Sequence, residues 1–169
     1  MTAIRTVAEL MALAARTAPK AVGKDYLAIE ILEGDILNRL ADDMILYGQE
    51  SGKRNFDRDG ENVRRSAAVV LIGLKDAAVI GLDCGACGFE ECPVINTMET
   101  VFRGPQCALR VLDMGIALGS AVKVASLLNV DNRIMYRIGV SARRLGLIDA
   151  DFVMGVPLSG TGKSIYFDR

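Results

Sequence analysis

The sequence predicts an α+β sandwich, and three observations carry that expectation. Apolar residues recur at helical spacing near the start, short β-branched runs of strand length lie between helical segments, and the two kinds of segment alternate without a strict βαβ repeat. At 169 residues the chain is long enough to bury a core as one domain, 1–169, and it carries no internal duplication or low-complexity tract.

Val7, Leu10, Met11 and Ala14 share one helical face, and Pro19 with Gly23 ends that helix, giving a first helix over about residues 5 to 17. Tyr26 to Leu32 reads as a strand. Asp35 stands where it can cap a second helix whose Ile36, Leu40, Met44 and Tyr47 line up, with Gly48 as its stop. Residues 49 to 65 are polar and densely charged with both signs, which predicts a solvated loop or an exposed helix. Ala67 to Leu74 is a continuous β-branched run of the kind found in strands buried on both faces. After Cys107, a segment to about Leu128 is apolar nearly all round, broken by Arg110, Asp113 and Lys123, as a central helix would be. Its Gly115 and Gly119 weaken the helix, so a close backbone approach by a neighbour is expected there. A helix over Asn132 to Leu145 stops at Gly146, and Phe152 to Val156 reads as the last strand.

Lys plus Arg number 20 against 21 Asp plus Glu, so no whole-molecule field attracts nucleic acid or an anionic membrane. No apolar run approaches the ~18 residues needed to cross a bilayer, which predicts a soluble protein. The first twenty residues lack a secretory signal's h-region and cleavage site, so a cytoplasmic location is expected. Apolar residues make up 51% of the chain, more than a monomer of this size readily hides, and a homodimer is expected. With no histidine, imidazole-based acid–base and triad chemistry is excluded.

All four cysteines lie between Cys84 and Cys107, three of them within DCGACGFEEC. Cysteines used as core hydrophobes would be scattered, and disulfides do not suit a reducing cytoplasm. A metal site remains. Zinc commonly uses two separated C-x2-C knuckles, whereas this spacing is C-x2-C-x4-C-x14-C with one. An iron–sulfur cube accepts three thiolates from one compact loop and a fourth from further along, which suits Cys84, Cys87, Cys92 and Cys107. Gly85 and Gly88 permit tight turns that aim backbone N–H groups at sulfide, and Gly104-Pro105 makes a turn that brings Cys107 back. Residues 83 to 107 would form the cluster-binding insert. A zinc staple stays open as the alternative at this point.

At CGACGFEEC the sequence resembles the CGxCGxxxC signature of four-iron cluster modules, as in the B subunit of Rnf-type electron-transport complexes and corrinoid iron–sulfur proteins. That resemblance implies a [4Fe-4S] cluster on Cys84, Cys87 and Cys92; Cys107 comes slightly earlier than the usual fourth ligand. AARTAPKAVGKD, DCGACGFEEC, DMGIALGSAVKVA, DNRIMYRIG and GVPLSGTGKSIYFDR are similar to stretches of a family of uncharacterised bacterial and archaeal ferredoxin-domain-containing proteins. This second resemblance spans the chain and implies a cofactor, not a reaction. Arg16-Thr17-Ala18-Pro19, then Gly155 and Pro157, also resemble nitroreductase-type flavoproteins, although Lys24 stands where those carry a polar residue. That likeness implies a nitroreductase-like sandwich with the cluster loop embedded in it. It also implies an FMN whose phosphate is met by Arg16 and Lys20.

The terminal PLSGTGKSIYFDR resembles a Walker A loop through Gly162, Lys163 and Ser164, but Pro157 replaces the first glycine and too few residues follow for the required helix. ATP binding is therefore not expected; Lys163 is kept as a residue that could approach a bound phosphate, ahead of a strand-like IYF ending in Asp168 and Arg169. The function expected is single-electron transfer through a [4Fe-4S] cluster, coupled to flavin, with a redox protein or small electron carrier as partner. A cluster-based sensory module and a zinc-stapled interaction domain are the alternatives.

Overall fold

The structure is a computed structural model that describes residues 3–167. In chain order it comprises α1 (Ala3–Thr17), a single 3-10 turn (Ala21–Gly23), β1 (Leu27–Glu33), α2 (Ile36–Ser51), α3 (Phe56–Arg64), β2 (Ala68–Leu74), β3 (Met98–Glu99), β4 (Arg103–Gly104), α4 (Ala108–Leu127), β5 (Asp131–Asn132), α5 (Tyr136–Arg144) and β6 (Phe152–Ser159). Asp168 and Arg169 lie outside the described residues.

An antiparallel sheet of order β1-β2-β6-β5 divides the molecule. Every residue of β2 is buried because helices cover both faces of the sheet. Ala68, Val70, Ile72 and Leu74 point toward α1 and α4, where Met11, Ala15, Met114, Ala117 and Ala121 meet them. Val69 and Leu71 point the other way, into a second core built from α2, α3 and α5 with Leu40, Met44, Phe56 and Ile138. The period-two alternation of a strand thus feeds two separate apolar cores, which is why an unbroken apolar run suits β2.

Two glycines let α5 lie directly on β6. A Cβ on Gly139 would stand 1.9 Å from the Val153 carbonyl oxygen, and one on Gly155 would stand 2.1 Å from Cγ2 of Ile138. Those separations are far inside van der Waals contact.

Several expectations are corrected. Residues 49 to 65 are no solvated stretch: they contain the end of α2 and all of α3, whose Phe56, Asp59, Gly60, Asn62 and Val63 are buried. The charges misled because Asp59 is buried by pairing with Arg58 at 2.7 Å and Arg137 at 2.8 Å. α2 passes Gly48 and ends before Gly52, which adopts φ 67° as its left-handed cap. Gly48 serves close approach instead, since a Cβ there would lie 2.7 Å from Cβ of Phe56. Asp35 does occupy the N-cap position of α2 but makes no capping bond through its side chain. Gly115 and Gly119 have nothing among the described residues within 4 Å of where a Cβ would stand, so the expected close neighbour is not found there. Asn132 belongs to β5, and α5 starts at Tyr136. Among the described residues no helix is long and apolar enough to cross a membrane.

Candidate functional site: a four-thiol recess at the head of the central helix

The chain leaves the sheet at the end of β2, runs through the cysteine segment and the β3–β4 hairpin, and re-enters the core as α4. Asp151, at the start of the last sheet strand and almost fully buried, holds both limbs of this excursion. Its Oδ2 accepts the Asp76 N–H at 2.8 Å and the Asn96 side-chain amide at 3.2 Å, and its Oδ1 accepts Arg103 at 3.2 Å. Asn96 in turn accepts the Gln106 amide at 2.5 Å, which carries the network to the residue before Cys107. From α5, Arg143 donates to the carbonyls of Ala150 and Val101 and to Glu99. Arg103 and Arg143 together hold the Glu99 carboxyl below its ordinary range. Phe102 completes the anchorage edge-on to Phe152, with ring centroids 4.9 Å apart.

The cysteine loop is shaped by backbone that few residues tolerate. Gly85 and Gly88 adopt φ 69° and 87°, as the turn argument expected, and the Gly88 N–H closes a turn on the Gly85 carbonyl at 2.9 Å. Asp83, itself at φ 47°, accepts the Cys92 N–H at 2.8 Å and so draws the two ends of the loop together. Gly104-Pro105 is a cis peptide. Two residues later Cys107 is the N-cap of α4, with its carbonyl accepting the Arg110 and Val111 N–H groups at 3.0 Å.

All four thiols are free and line one shallow recess, walled by Val79, Phe89 and Pro93. Cys84 is exposed, Cys87 and Cys92 are half-buried and Cys107 is buried. Burial alone pushes the Cys107 thiol up, but the N–H groups of Arg110, Ile80 and Leu109 and the Arg110 charge outweigh it and hold the thiol below its ordinary range. A donor at the head of a helix is thereby prepared to bind metal as thiolate.

Among the described residues, no three His, Cys, Asp or Glu side chains converge tightly enough to hold one metal ion. A zinc staple needs its ligands about 2.0–2.3 Å from a single point. Four thiols spread round a recess match a bulkier body with a thiolate at each corner. Four thiols on one recess are a donor set of the kind that holds an iron–sulfur cluster.

Arg16 and Lys20 are brought together on Asp25, at 2.7 and 3.9 Å, while Lys163 lies beyond the end of β6. Arg16 pairs with Asp25 at 2.7 Å and donates to the Leu27 carbonyl at 2.8 Å. The Lys20 ammonium, its side chain only 6% exposed, donates to the carbonyls of Ala15, Arg16 and Ala18 and so caps the end of α1. Lys163 follows β6 in an irregular turn at the opposite end of α1, where a Cβ on Gly160 would stand 3.1 Å from Ile4. From Ile4 to Arg16 the helix rises about 18 Å at 1.5 Å per residue.

Three further features of the site escaped sequence reasoning. Asp151 stands in an unremarkable LIDADF segment and carried no signal. The Asn96–Gln106 link joins residues whose partners only the fold reveals. Arg110 and Asp113 were visible as charges on an apolar helix, yet their pairing and burial were not.

The sequence model of the family described as "Uncharacterized protein containing a ferredoxin domain (DUF2148)" matches residues 103–169, a span that includes Cys107. An uncharacterised protein of Archaeoglobus fulgidus is 50% identical over 98% of this chain and 91% of its own length. Among solved structures, the chain resembles the FMN-dependent nitroreductase NfnB of Mycobacterium smegmatis in complex with NADPH. There the TM-score is 0.63 and the identity 12%, over 98% of this chain and 82% of that one. Nitroreductase CinD of Lactococcus lactis, in complex with chloramphenicol, gives a TM-score of 0.63 at 15% identity, over 99% and 86%. A Desulfitobacterium hafniense nitroreductase with bound FMN gives 0.57 at 12%, over 100% and 85%. At such identities the likeness shows the fold, which is the nitroreductase-like sandwich that the Arg16–Pro19 and Gly155–Pro157 segments implied. The chain thus joins that fold to a four-cysteine segment, and it belongs to the family of uncharacterised proteins containing a ferredoxin domain.

Proposed function

We propose that this protein is an iron–sulfur redox protein that passes single electrons through a [4Fe-4S] cluster held by Cys84, Cys87, Cys92 and Cys107, with residues 83 to 107 as the cluster-binding insert. One observation carries the proposal: four free thiols, three from one loop and one from the head of α4, line a single recess. Family membership supports it through the ferredoxin domain.

When bound, the cluster supplies a one-electron couple. The chain's own residues do the rest. Asp83 clasps the loop through the Cys92 N–H. Val79, Phe89 and Pro93 keep water from one side of the recess. The N–H groups turned on Cys107 favour its thiolate, and hydrogen bonds to cluster sulfur favour the reduced state. Cys84, the most exposed of the four, marks the edge through which an electron reaches a partner, either a redox protein or a small carrier.

Flavin coupling and assembly belong to the same proposal. The fold is shared with proteins whose structures contain FMN, and an FMN phosphate here would be met at the Arg16 end of α1, with Lys163 supplied from elsewhere. A second copy of the chain would cover the exposed apolar side of α4, where Val111, Leu112 and Ile116 flank the open Gly115 and Gly119. We place the protein in the cytoplasm, where thiols stay reduced.

The proposal is tested by reducing anaerobically purified protein with dithionite and mixing it with methyl viologen or a ferredoxin in a stopped-flow instrument. Reversible bleaching and return of visible absorption, one electron per chain, is the expected result. An intact cluster that exchanges no electrons would instead assign the protein to sensing, and a yellow supernatant after acid precipitation would establish the flavin.

A further inference from the structure

We propose that the buried Arg110–Asp113 pair sets the reduction potential of the cluster, by fixing a positive charge beside Cys107; this rests on the cluster reading above. The pair is unusual in its place. The buried face of α4 is otherwise Met114, Ala117, Leu118, Ala121 and Ala125, yet one turn after Cys107 it carries two charged side chains only 2% and 8% exposed. Removing two charges from water is costly, and apolar residues of similar volume generally serve stability as well or better. Packing alone therefore does not account for the pair.

Its geometry shows what it does hold. Arg110 donates to the Asp113 carboxylate at 3.1 Å, to the Ala78 carbonyl at 3.0 Å and to the Ala21 carbonyl at 3.0 Å, and its guanidinium lies 4.8 Å from the centre of the Tyr26 ring. Asp113 accepts the Ala21 N–H at 2.8 Å. Nε and Nη1 are held by three acceptors and the group lies over the Tyr26 ring, so its charge is held in place. Two routes connect that charge to the ligand. Arg110 stands in the first turn of α4 with its backbone N–H on the Cys107 carbonyl at 3.0 Å, and its Nε holds the Ala78 carbonyl at 3.0 Å in the segment that leads to the cysteine loop. A fixed cation beside an anionic cluster favours the added electron, while Asp113 moderates it.

Arg110 is thus a positioning and tuning residue, and the test reads potential, not stability. Reduction here is the gain of one electron by the cluster from dithionite, with no bond formed or broken. Potentiometric titration of the full-length cluster-loaded protein is compared across Arg110→Met, Arg110→Lys and Asp113→Asn, with iron per chain measured in each. The expected result is that Arg110→Met lowers the reduction equilibrium constant about tenfold, about 59 mV for one electron. Asp113→Asn raises it and Arg110→Lys, which keeps the charge, shifts it least. Both losses destabilise the fold, so a merely structural pair gives shifts of one sign or none. Such a pattern with parent-level iron overturns the proposal and leaves the cluster reading standing. Loss of iron from Arg110→Lys and Asp113→Asn alike overturns it too, assigning the pair to ligand assembly. A parent protein without iron refutes the cluster reading itself.

Discussion

Asp151→Asn is the substitution that asks most of the link between fold and site. The carboxylate is 5% exposed and accepts three donors: the Asp76 N–H, the Asn96 amide and Arg103. An asparagine of the same shape keeps one oxygen and presents an NH2 where the other stood. It must turn that donor either toward the buried Asp76 N–H and Asn96 amide or toward the Arg103 guanidinium. Hydrogen bonds to a charged acceptor contribute about 1.5–3 kcal/mol each, against about 1 for neutral ones. The Arg103 side chain is 43% exposed and also bonded to Glu99, so its share is discounted to the surface range of ~0–1 kcal/mol. Weakening the two buried bonds and losing part of the third gives about 3 kcal/mol. For a chain of this size that lowers Tm by roughly 6–12 °C. Circular-dichroism melts of metal-free protein read the stability, and iron per chain reads the site. Because both limbs of the cysteine excursion hang on Asp151, iron retention should fall with Tm. A drop of under about 2 °C with full iron retention would refute the argument, since it would mean other contacts hold the limbs.

Further outcomes follow from single contacts. Gly139→Ala drives a Cβ into the Val153 carbonyl, 1.9 Å away, and should cost about 3 kcal/mol or more, read as a lowered urea midpoint at unchanged m-value. Cys107→Ser should strip iron and visible absorption while leaving the melting of metal-free protein within about 1 °C, because the helix start is held by the Cys107 carbonyl and not its sulfur. Asp25 is pushed up by burial, but the Arg16 guanidinium and the Leu27 N–H outweigh this and hold it below its ordinary value of 3.8. A carboxyl depressed in the folded state contributes stability above its unfolded pKa and loses it as pH falls through the folded one. The Tm gap between parent and Asp25→Asn should therefore be full at pH 7 and close below about pH 3.8, and a gap that widens in acid would contradict the ion pair.

What the sequence made legible was what depends on local chemistry. The β-branched run of β2 and the punctuation by Gly85 and Gly88 act within a few residues of themselves, and each stands where those patterns place it; α1 is a helix as its spacing predicted, but it buries Val7, Ala8, Met11 and Ala15 and leaves Leu10 exposed. The cysteine cluster was legible for the same reason. What stayed hidden needed a partner far along the chain. The burial of Asp59 depends on Arg137, 78 residues away, and the role of Asp151 on Asp76, 75 residues away. Gly48, Gly139 and Gly155 look like helix and strand breakers until the crossing backbone or side chain that each accommodates is in view. The pairing of Arg16 and Lys20 with Asp25 likewise came into view only with the fold.

The central claim is that four thiols grip one inorganic cube, and crystals grown without air, measured at the iron absorption edge, test it most directly. The account predicts anomalous scattering from four irons in the recess, with Cys84, Cys87, Cys92 and Cys107 each bonded to a different one. A single zinc, or thiols bridged to one another as disulfides, would contradict it.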